Sequence, residues 1–303
     1  MYTFEGYLND VIIAFGDSIT QFGQNPELNG WVSQLGNLYI RRLDVLNRGF
    51  SGYNTISGGV IFPRLFPTTS DKVTPSKARF PETEVYNSAE ELAVRADQEF
   101  GFGKKLESKI KLVIIFLGAN DSCYAGFQQH VPLEEFKRNI ERMITLLRDP
   151  NSEKYSPGTN IVLITPPPIS EVMWEKTLAG VGVYEVSRSN VSVKEYANAV
   201  VEVGKKFGVP AIDTWTAFMD EIKAMREEKF KSAKLDDLRA QSYSDASYGF
   251  DELLIDGLHL TKRGNDKVFK MLTNLIDEQI PELRCDNIGE LMPEWKALFP
   301  VAK

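Results

Sequence analysis

The stretch Val11-Ile12-Ile13-Ala14-Phe15-Gly16-Asp17-Ser18-Ile19-Thr20 decides the fold of this 303-residue chain. Its first five residues form an apolar run of the length expected for a strand that is buried on both faces. The small, acidic and hydroxyl residues that follow place Ser18 at the carboxyl end of that strand. Because ligands bind at this edge of open parallel α/β sheets, the stretch predicts a first strand that carries a serine into a binding site.

Short apolar runs alternate with helical patterns along the rest of the chain, which predicts an α/β fold with a parallel sheet. The predicted strands are Val11–Phe15, Asp44–Asn47, Leu112–Leu117, Ile161–Thr165 and Pro210–Asp213. Pro132 opens one predicted helix, and Ser192-Val193-Lys194-Glu195 has the pattern of a capping box for a second helix. Gly208 ends that second helix, and Thr261 is the predicted cap of the last one.

We expect a single domain, residues 1–303, with two polar insertions at about 67–108 and 229–251. Loops of this length inside a compact domain are usually functional or disordered, and neither segment is apolar enough to form a core of its own. The C-terminal segment Ile280–Lys303 carries apolar residues at packing spacing. It can dock on the body of the protein or on a second subunit, so the sequence leaves open whether the protein forms a homodimer.

Composition limits the classes of function. The chain is 43% apolar and 25% charged, as folded globular proteins are. A net charge of −7 argues against nucleic-acid binding, which needs a concentrated positive surface. Apolar runs are too short for a membrane span. The two cysteines, Cys123 and Cys285, show no zinc-site or disulfide-framework spacing, which favours a reducing compartment and predicts a cytoplasmic protein.

Four polar stretches follow the predicted strands, so we expect them to meet at one edge of the sheet. They are Gly16-Asp17-Ser18, the loop Arg48–Asn54, Gly118-Ala119-Asn120-Asp121 and Asp256-Gly257-Leu258-His259. A serine hydroxyl is a poor nucleophile unless an imidazole takes its proton. His259 is one of only two histidines, and Asp256 lies three residues upstream, where it can hold the imidazole in one tautomer. The pattern predicts Ser18 as nucleophile, His259 as base and Asp256 as the acid that orients it.

Acyl transfer also needs hydrogen-bond donors for the negative oxygen of the tetrahedral intermediate. The backbone N–H groups of Ser18 and Gly52 and the side-chain amide of Asn120 can provide three of them. A glycine at position 52 lets the backbone approach a substrate closely. We expect Asp17 to accept backbone hydrogen bonds rather than act as the triad acid, and Asp121 to order its own loop.

Taken together, the four stretches resemble the four signature blocks of the SGNH, or GDSL-type, hydrolase family, in the same order along the chain. The residues at 47–53, 115–121 and 256–260 are most similar to the isoamyl acetate-hydrolysing esterase subgroup. The resemblance implies a flavodoxin-like three-layer α/β/α fold whose five-stranded parallel sheet has the order 2-1-3-4-5. The chain differs from that subgroup at 67–108, where its nearer members have far less sequence.

For function, the resemblance implies hydrolysis of short acetate-type esters of small alcohols, with no cofactor and no metal. It implies Ser18, Asp256 and His259 as the catalytic residues, and Ser18, Gly52 and Asn120 as the oxyanion hole. A thioesterase, lysophospholipase or carbohydrate deacetylase would use the same residues. A catalytically idle relative that binds an acylated partner is the non-enzymatic alternative.

Each block has a simpler interpretation when it stands alone. Asn120 could be a turn residue that satisfies backbone groups, and the helix dipole alone could favour Asp256 near a helix start. The occurrence of all four blocks in order favours the catalytic interpretation. The sequence contains no GxSxG and no HExxH, which argues against an α/β-hydrolase elbow and against a zinc hydrolase of that type.

Overall fold

The computed structural model describes residues 9–67, 108–231 and 246–290. Five parallel strands form one sheet in the order β2-β1-β3-β4-β5. The strands are β1 (Val11–Gly16), β2 (Asp44–Gly49), β3 (Ile110–Phe116), β4 (Asn160–Ile164) and β5 (Ala211–Ile212). The predicted strands and their order are confirmed, and their ends differ from the prediction by at most two residues.

Helices cover both faces of this sheet, which gives the three layers that the family resemblance implies. They are α1 (Ser18–Phe22), α2 (Trp31–Leu38), α3 (Thr55–Ile61), α4 (Leu133–Arg148), α5 (Glu171–Gly180), α6 (Asn190–Phe207), α7 (Thr214–Lys231), α8 (Phe250–Leu253) and α9 (Lys262–Gln279). Short 3-10 turns lie at Phe62–Leu65, Pro281–Leu283 and Cys285–Asn287.

Alternate residues of β1 belong to opposite layers of the core. Ile12 and Ala14 pack with residues of α2 and α9, whereas Ile13 and Phe15 pack with residues of α4 and α6. All four side chains are almost completely buried. The continuous apolar run in the sequence therefore reflects a strand that is covered on both faces.

The helix ends agree with the sequence in three places and differ in one. Helix α4 begins directly after Pro132, Gly208 ends α6 at a φ of 60°, and the Thr261 side chain accepts a hydrogen bond from the Gly264 N–H. The capping box predicted at Ser192–Glu195 is wrong. Ser189 caps α6 instead, because its hydroxyl accepts from the Ser192 N–H while the Ser192 hydroxyl accepts from the Ser189 N–H.

Most of the two predicted insertions lies outside the described residues, at 68–107 and 232–245. Helix α7 extends to Lys231 and so includes the start of the second one. The single-domain organisation stays a prediction. Among the helices of the described ranges, none is long and apolar enough to cross a membrane.

Close packing between β1 and β2 brings the first two signature loops together. Gly16 pairs with Gly49 in the sheet, and the Phe50 N–H donates to the Gly16 carbonyl at 2.9 Å. A Cβ on Gly16 would collide with the Thr20 hydroxyl and with the backbone oxygen of Phe116. Glycine at position 16 therefore allows α1 and β3 to approach the end of β1, which positions Ser18 at the edge of the sheet.

Candidate active site

Three side chains, one from near the start of the chain and two from a single turn near its end, form a continuous hydrogen-bonded set at this edge. Ser18 Oγ lies 2.9 Å from His259 Nε2, and His259 Nδ1 lies 2.6 Å from Asp256 Oδ2. Because an ionised carboxylate only accepts, Nδ1 carries a proton and Nε2 is left as the acceptor for the Ser18 hydroxyl. The structure thus brings together the three residues predicted as nucleophile, base and orienting acid, in the geometry that proton transfer requires.

The Asp256 carboxylate is fixed by its own turn. Its Oδ1 accepts from the backbone N–H groups of Leu258 and His259 at 2.9 and 2.8 Å. Burial raises the pKa of Asp256, but the hydrogen bond and charge of His259 outweigh that effect, with help from the two backbone bonds. The net result is a pKa below the ordinary value of 3.8. Asp256 is therefore ionised at neutral pH and directed at the imidazole.

Asp17 shapes the turn that presents the serine. It caps α1, and its Oδ1 accepts from the Ile19 N–H at 2.9 Å, which is the backbone role predicted for it. Burial raises the pKa of Asp17 to about 6, against the opposing effects of that hydrogen bond and of the nearby His259 and Arg188. Asp17 makes no hydrogen bond to His259 in the described structure, so its position does not suit the triad acid.

Asn120 and Gly52 lie on neighbouring loops that are tied to each other. Asn120 Nδ2 donates to the backbone oxygen of Tyr53 at 2.9 Å, and Asn120 is only 4% exposed. Gly52 has a φ of +80°, a conformation that L side chains rarely adopt. One N–H of the Asn120 amide is engaged by Tyr53, and the second remains as a donor for a ligand.

The prediction that Asp121 orders its own loop is incomplete. Its Oδ1 accepts from both the backbone N–H of Thr55, at 2.8 Å, and the Thr55 hydroxyl, at 2.5 Å. It therefore joins the loop after β3 to the start of α3. Burial raises the pKa of Asp121 to about 7, although the hydrogen bonds from Thr55 act in the opposite direction.

Two aromatic rings flank the imidazole of His259. The Phe22 ring lies edge-on to it at 5.1 Å between centroids, and the Trp174 ring at 6.2 Å. These contacts restrict the orientation of the imidazole in addition to the Asp256 bond. Nothing in the sequence pattern distinguishes Phe22 and Trp174 from core residues, so the sequence does not predict their place beside His259.

Arg188 and Gln129 are further site residues that sequence reasoning missed. The Arg188 guanidinium donates to the Ala119 carbonyl and to Asn120 Oδ1, at 2.6 and 3.4 Å. Gln129 Nε2 donates to the Gly52 carbonyl at 3.0 Å. Both residues are polar and lie in polar stretches of sequence, where such residues are usually exposed. No signal in the sequence therefore distinguishes them from ordinary surface residues.

No group of three or more His, Cys, Asp or Glu side chains in the described part of the chain could hold a metal ion. Cys123 and Cys285 are both free thiols, and burial raises the pKa of Cys123. The chemistry that the arrangement offers is a hydroxyl nucleophile, an imidazole base and an amide donor.

Comparison with known sequences gives a consistent result. A model of the GDSL-like lipase/acylhydrolase family matches residues 14–267. The isoamyl acetate-hydrolyzing esterase 1 homolog of Rattus norvegicus is 32% identical over 287 residues, which cover 94% of this chain and 86% of that protein. The isoamyl acetate-hydrolyzing esterase of Saccharomyces cerevisiae is 26% identical and covers 94% and 93% of the two chains.

One solved structure with a TM-score of 0.50 agrees with this chain at the level of the fold. A Bacteroides fragilis protein described as an acylhydrolase has a TM-score of 0.50 and 13% identity, with 90% of this chain and 91% of that one covered. A lipase/acylhydrolase from Enterococcus faecalis has a TM-score of 0.49 and 20% identity, with 94% and 100% covered. At this level of identity the likeness concerns the fold alone.

Proposed function

This chain belongs to the GDSL-like lipase/acylhydrolase family, and from that premise we propose that it hydrolyses acetate-type esters of small alcohols through an acyl-enzyme on Ser18. Membership of the family and the named esterase relatives make it a carboxylic ester hydrolase. The substrate class and the acyl-enzyme mechanism are what we propose beyond that. The resemblance to the isoamyl acetate-hydrolysing subgroup supports the substrate class, and the site geometry supports the mechanism.

In the proposed mechanism His259 Nε2 takes the proton of the Ser18 hydroxyl as Oγ attacks the ester carbonyl carbon. The carbonyl oxygen becomes negative in the tetrahedral intermediate and accepts hydrogen bonds from Ser18 N–H, Gly52 N–H and Asn120 Nδ2. The intermediate collapses with cleavage of the bond to the alkoxy oxygen, which leaves as the alcohol with the proton from His259. Water then attacks the acyl-enzyme, with His259 as base again, and releases the acid and free Ser18.

One observation carries this proposal. Residues 18 and 259 are separated by 241 positions, yet their side chains lie within hydrogen-bond distance, and the third group lies directly behind the imidazole. A buried serine that served packing alone would not need a histidine oriented by an ionised carboxylate. The combination is the arrangement by which a weak hydroxyl becomes a nucleophile at neutral pH.

The direct test is Ser18→Ala, assayed with p-nitrophenyl acetate. We expect kcat to fall by at least about 10³-fold, since removal of the nucleophile in serine hydrolases costs this much or more. The matched control is Ser152→Ala, because Ser152 lies in the loop before β4, at the opposite end of the sheet. Wild-type kcat in a folded Ser18→Ala variant would overturn the mechanism.

The substrate class has its own test. A series of p-nitrophenyl esters from acetate to palmitate is expected to give the highest kcat/KM at the shortest acyl chains. An optimum at long acyl chains would favour a lysophospholipase. A preference for thioesters would favour a thioesterase, and a preference for acetylated sugars would favour a carbohydrate deacetylase. Cytoplasmic localisation, inferred from the two cysteines, stays a prediction that fractionation of cells expressing the full chain can check.

A further inference from the structure

Arg188 is a charged side chain in an unusual position. It is 2% exposed, and burial lowers its pKa from the ordinary value. In the part of the chain that the structure describes, no carboxylate lies within ion-pair distance of its guanidinium. Keeping a buried cation without a directly paired anion is costly, so the position calls for a physical reason.

The guanidinium donates to several neutral acceptors, and most of them belong to the candidate active site. Nη1 donates to the Ala119 carbonyl at 2.6 Å and to Asn120 Oδ1 at 3.4 Å, while Nη2 donates to Gln129 Oε1 at 3.2 Å. Gln129 in turn donates from Nε2 to the Gly52 carbonyl at 3.0 Å. Arg188 is thus bonded directly to Asn120 and, through Gln129, to Gly52.

The Asn120 amide is bound at both ends. Its Nδ2 donates to Tyr53, whose carbonyl only accepts, and its Oδ1 accepts from Arg188, which only donates. The two partners together fix which atom is the nitrogen and hold the plane of the amide. A cation at Oδ1 also draws electron density away from the amide, which makes the remaining N–H of Nδ2 a stronger donor.

The segment around Arg188 is attached to the same loop by further bonds. The Tyr124 N–H donates to the Ser187 carbonyl at 2.7 Å, and the Ser192 hydroxyl donates to the Ser122 carbonyl at 3.1 Å. The guanidinium also lies over the Trp174 ring, with its carbon 5.7 Å from the ring centroid. Arg188 is therefore fixed from both sides, as a group that transmits position must be.

We propose that Arg188 is a positioning residue for the charge-stabilising donors, which aligns the Asn120 amide directly and the Gly52 backbone through Gln129. This inference rests on the proposed function, because it takes Asn120 and Gly52 as donors to the tetrahedral intermediate. Arg188 itself acts through these groups and is not placed in contact with the substrate. Burial lowers the pKa of Arg188, and the neighbouring Cys123 and the buried carboxyls of Asp17 and Asp121 act on that pKa in the opposite direction.

The test is Arg188→Met, which keeps the length of the side chain and removes the donors and the charge. We expect kcat for p-nitrophenyl acetate to fall by about 10- to 100-fold, because misplacement of a reacting group by about 1 Å has effects of that size. KM should change by less than about threefold, since ground-state binding does not depend on the negative oxygen. The matched control is Arg148→Met, whose Nη1 also donates to a backbone carbonyl at 2.6 Å, that of Phe207.

A double-mutant cycle with Asn120→Ala separates positioning from a general structural role. If Arg188 acts in part through Asn120, the double variant should have a higher kcat than the product of the two single losses gives, and should fall below Asn120→Ala alone by no more than the roughly 10-fold expected from the Gln129 connection. Losses that simply multiply, or a folded Arg188→Met variant with wild-type kcat, would overturn the proposal. Wild-type kcat in Asn120→Ala would instead overturn the oxyanion-hole assignment, which is part of the proposed function.

Should Arg188→Met fail to fold, judged by circular dichroism, Gln129→Met tests the part of the proposal that concerns Gly52. It breaks the connection to Gly52 without removing a charge, and Gln129 is only half-buried. We expect its kcat to fall about 10-fold, with KM within about threefold of wild type. An unchanged kcat in this variant would overturn the role assigned to the Arg188–Gln129 connection.

Discussion

At the scale of single residues, the Asp256 carboxylate decides which imidazole nitrogen carries the proton. Its Oδ2 faces His259 Nδ1 at 2.6 Å, and its Oδ1 is held by two backbone N–H groups. The proton is thereby fixed on Nδ1, and Nε2 is available to Ser18. In the proposed mechanism the acid contributes through tautomer and orientation rather than by taking a proton itself.

Replacement of Asp256 by Asn tests this role. An amide can still accept the backbone bonds through Oδ1, but its NH₂ group then faces Nδ1 and favours the tautomer with the proton on Nε2. We expect kcat to fall by about 10⁴-fold with the fold intact, as for the same change in other serine hydrolases. Asp251→Asn is the control, and a loss of less than about 10-fold would contradict the account.

Titration of the single residue Asp121 makes the free energy of unfolding depend on pH. Burial raises its pKa from 3.8 to about 7 in the folded state, so the native protein holds a proton that the unfolded chain releases as pH rises from about 4. Since the native state binds more protons in this window, the contribution of Asp121 to the free energy of unfolding falls between about pH 4 and pH 7. One pKa unit corresponds to about 1.4 kcal/mol, which sets an upper limit of about 4 kcal/mol.

For Asp121→Asn we expect the free energy of unfolding, relative to that of the wild type, to increase as pH rises through this window. Urea denaturation of both proteins at several pH values measures it, with the exposed Asp44→Asn as control. The Asn side chain can still accept from Thr55, so the comparison isolates the titration. A difference between the two proteins that stays constant from about pH 4 to pH 7 would rule this out.

The residues that the sequence predicts at the candidate site are ones that are rare in the chain or that directly follow a strand. His259 could be found because there are two histidines, and Ser18 because a strand ends directly before it. Arg188 could not be found, because its partners Ala119 and Gln129 lie 69 and 59 positions away. Only the folded arrangement of the loops shows that this arginine is buried beside the candidate site and is not a surface residue.

At the scale of elements, the turn before His259 depends on a glycine that packs against α5. Gly257 has a φ of +93°, and a Cβ there would come within 2.6 Å of the Ser170 carbonyl and 2.7 Å of the Trp174 nitrogen. The Ser170 N–H also donates to the Gly257 carbonyl at 2.9 Å. The turn that carries Asp256 and His259 is therefore attached to the start of α5.

We expect Gly257→Ala to destabilise the protein more than Gly182→Ala does. Gly182 also has a positive φ, of +81°, but a methyl group added there would have nothing within 4 Å, so its change costs only the conformational strain of about 1–2 kcal/mol. Gly257→Ala adds a collision with backbone and should also lower kcat, because the turn moves. Urea denaturation with activity assays measures both, and equal costs for the two variants would contradict this explanation.

Element boundaries show where local sequence signals stop being decisive. The sequence favours a capping box at Ser192 because a Glu lies three residues later, but Ser189 offers an equivalent hydroxyl one turn earlier. Two serines then satisfy each other's backbone donors, and the helix gains a turn. Where alternative caps compete, packing of the added turn decides between them, and the sequence pattern does not contain that information.

At the scale of the whole molecule, the two layers of the core share one sheet. Ile12 and Ile13 are adjacent in β1 but belong to different layers, so neither layer can separate without exposing the sheet. Strand order could be predicted because it came with the family resemblance. The role of the predicted insertion at 67–108 could not be, since it has no counterpart in the signature blocks.

A single cooperative unfolding transition is the expected consequence. Far-UV circular dichroism, tryptophan fluorescence and residual esterase activity should give the same urea midpoint, because loss of either layer disrupts the sheet edge that holds the site. Trp31 reports on the layer that contains α2 and α9. Two separated midpoints would show that the chain is divided into independent units, against the single-domain prediction.

The most direct measurement of the central claim is covalent labelling of the folded protein with a fluorophosphonate, followed by mass spectrometry of its peptides. If Ser18, His259 and Asp256 form one catalytic set, the phosphonyl group attaches to Ser18 in the wild type. The label is then lost in Ser18→Ala and slowed by at least about 10²-fold in His259→Ala, where no base activates the hydroxyl. A folded wild-type protein that is not labelled at Ser18, or is labelled equally well without His259, would contradict it.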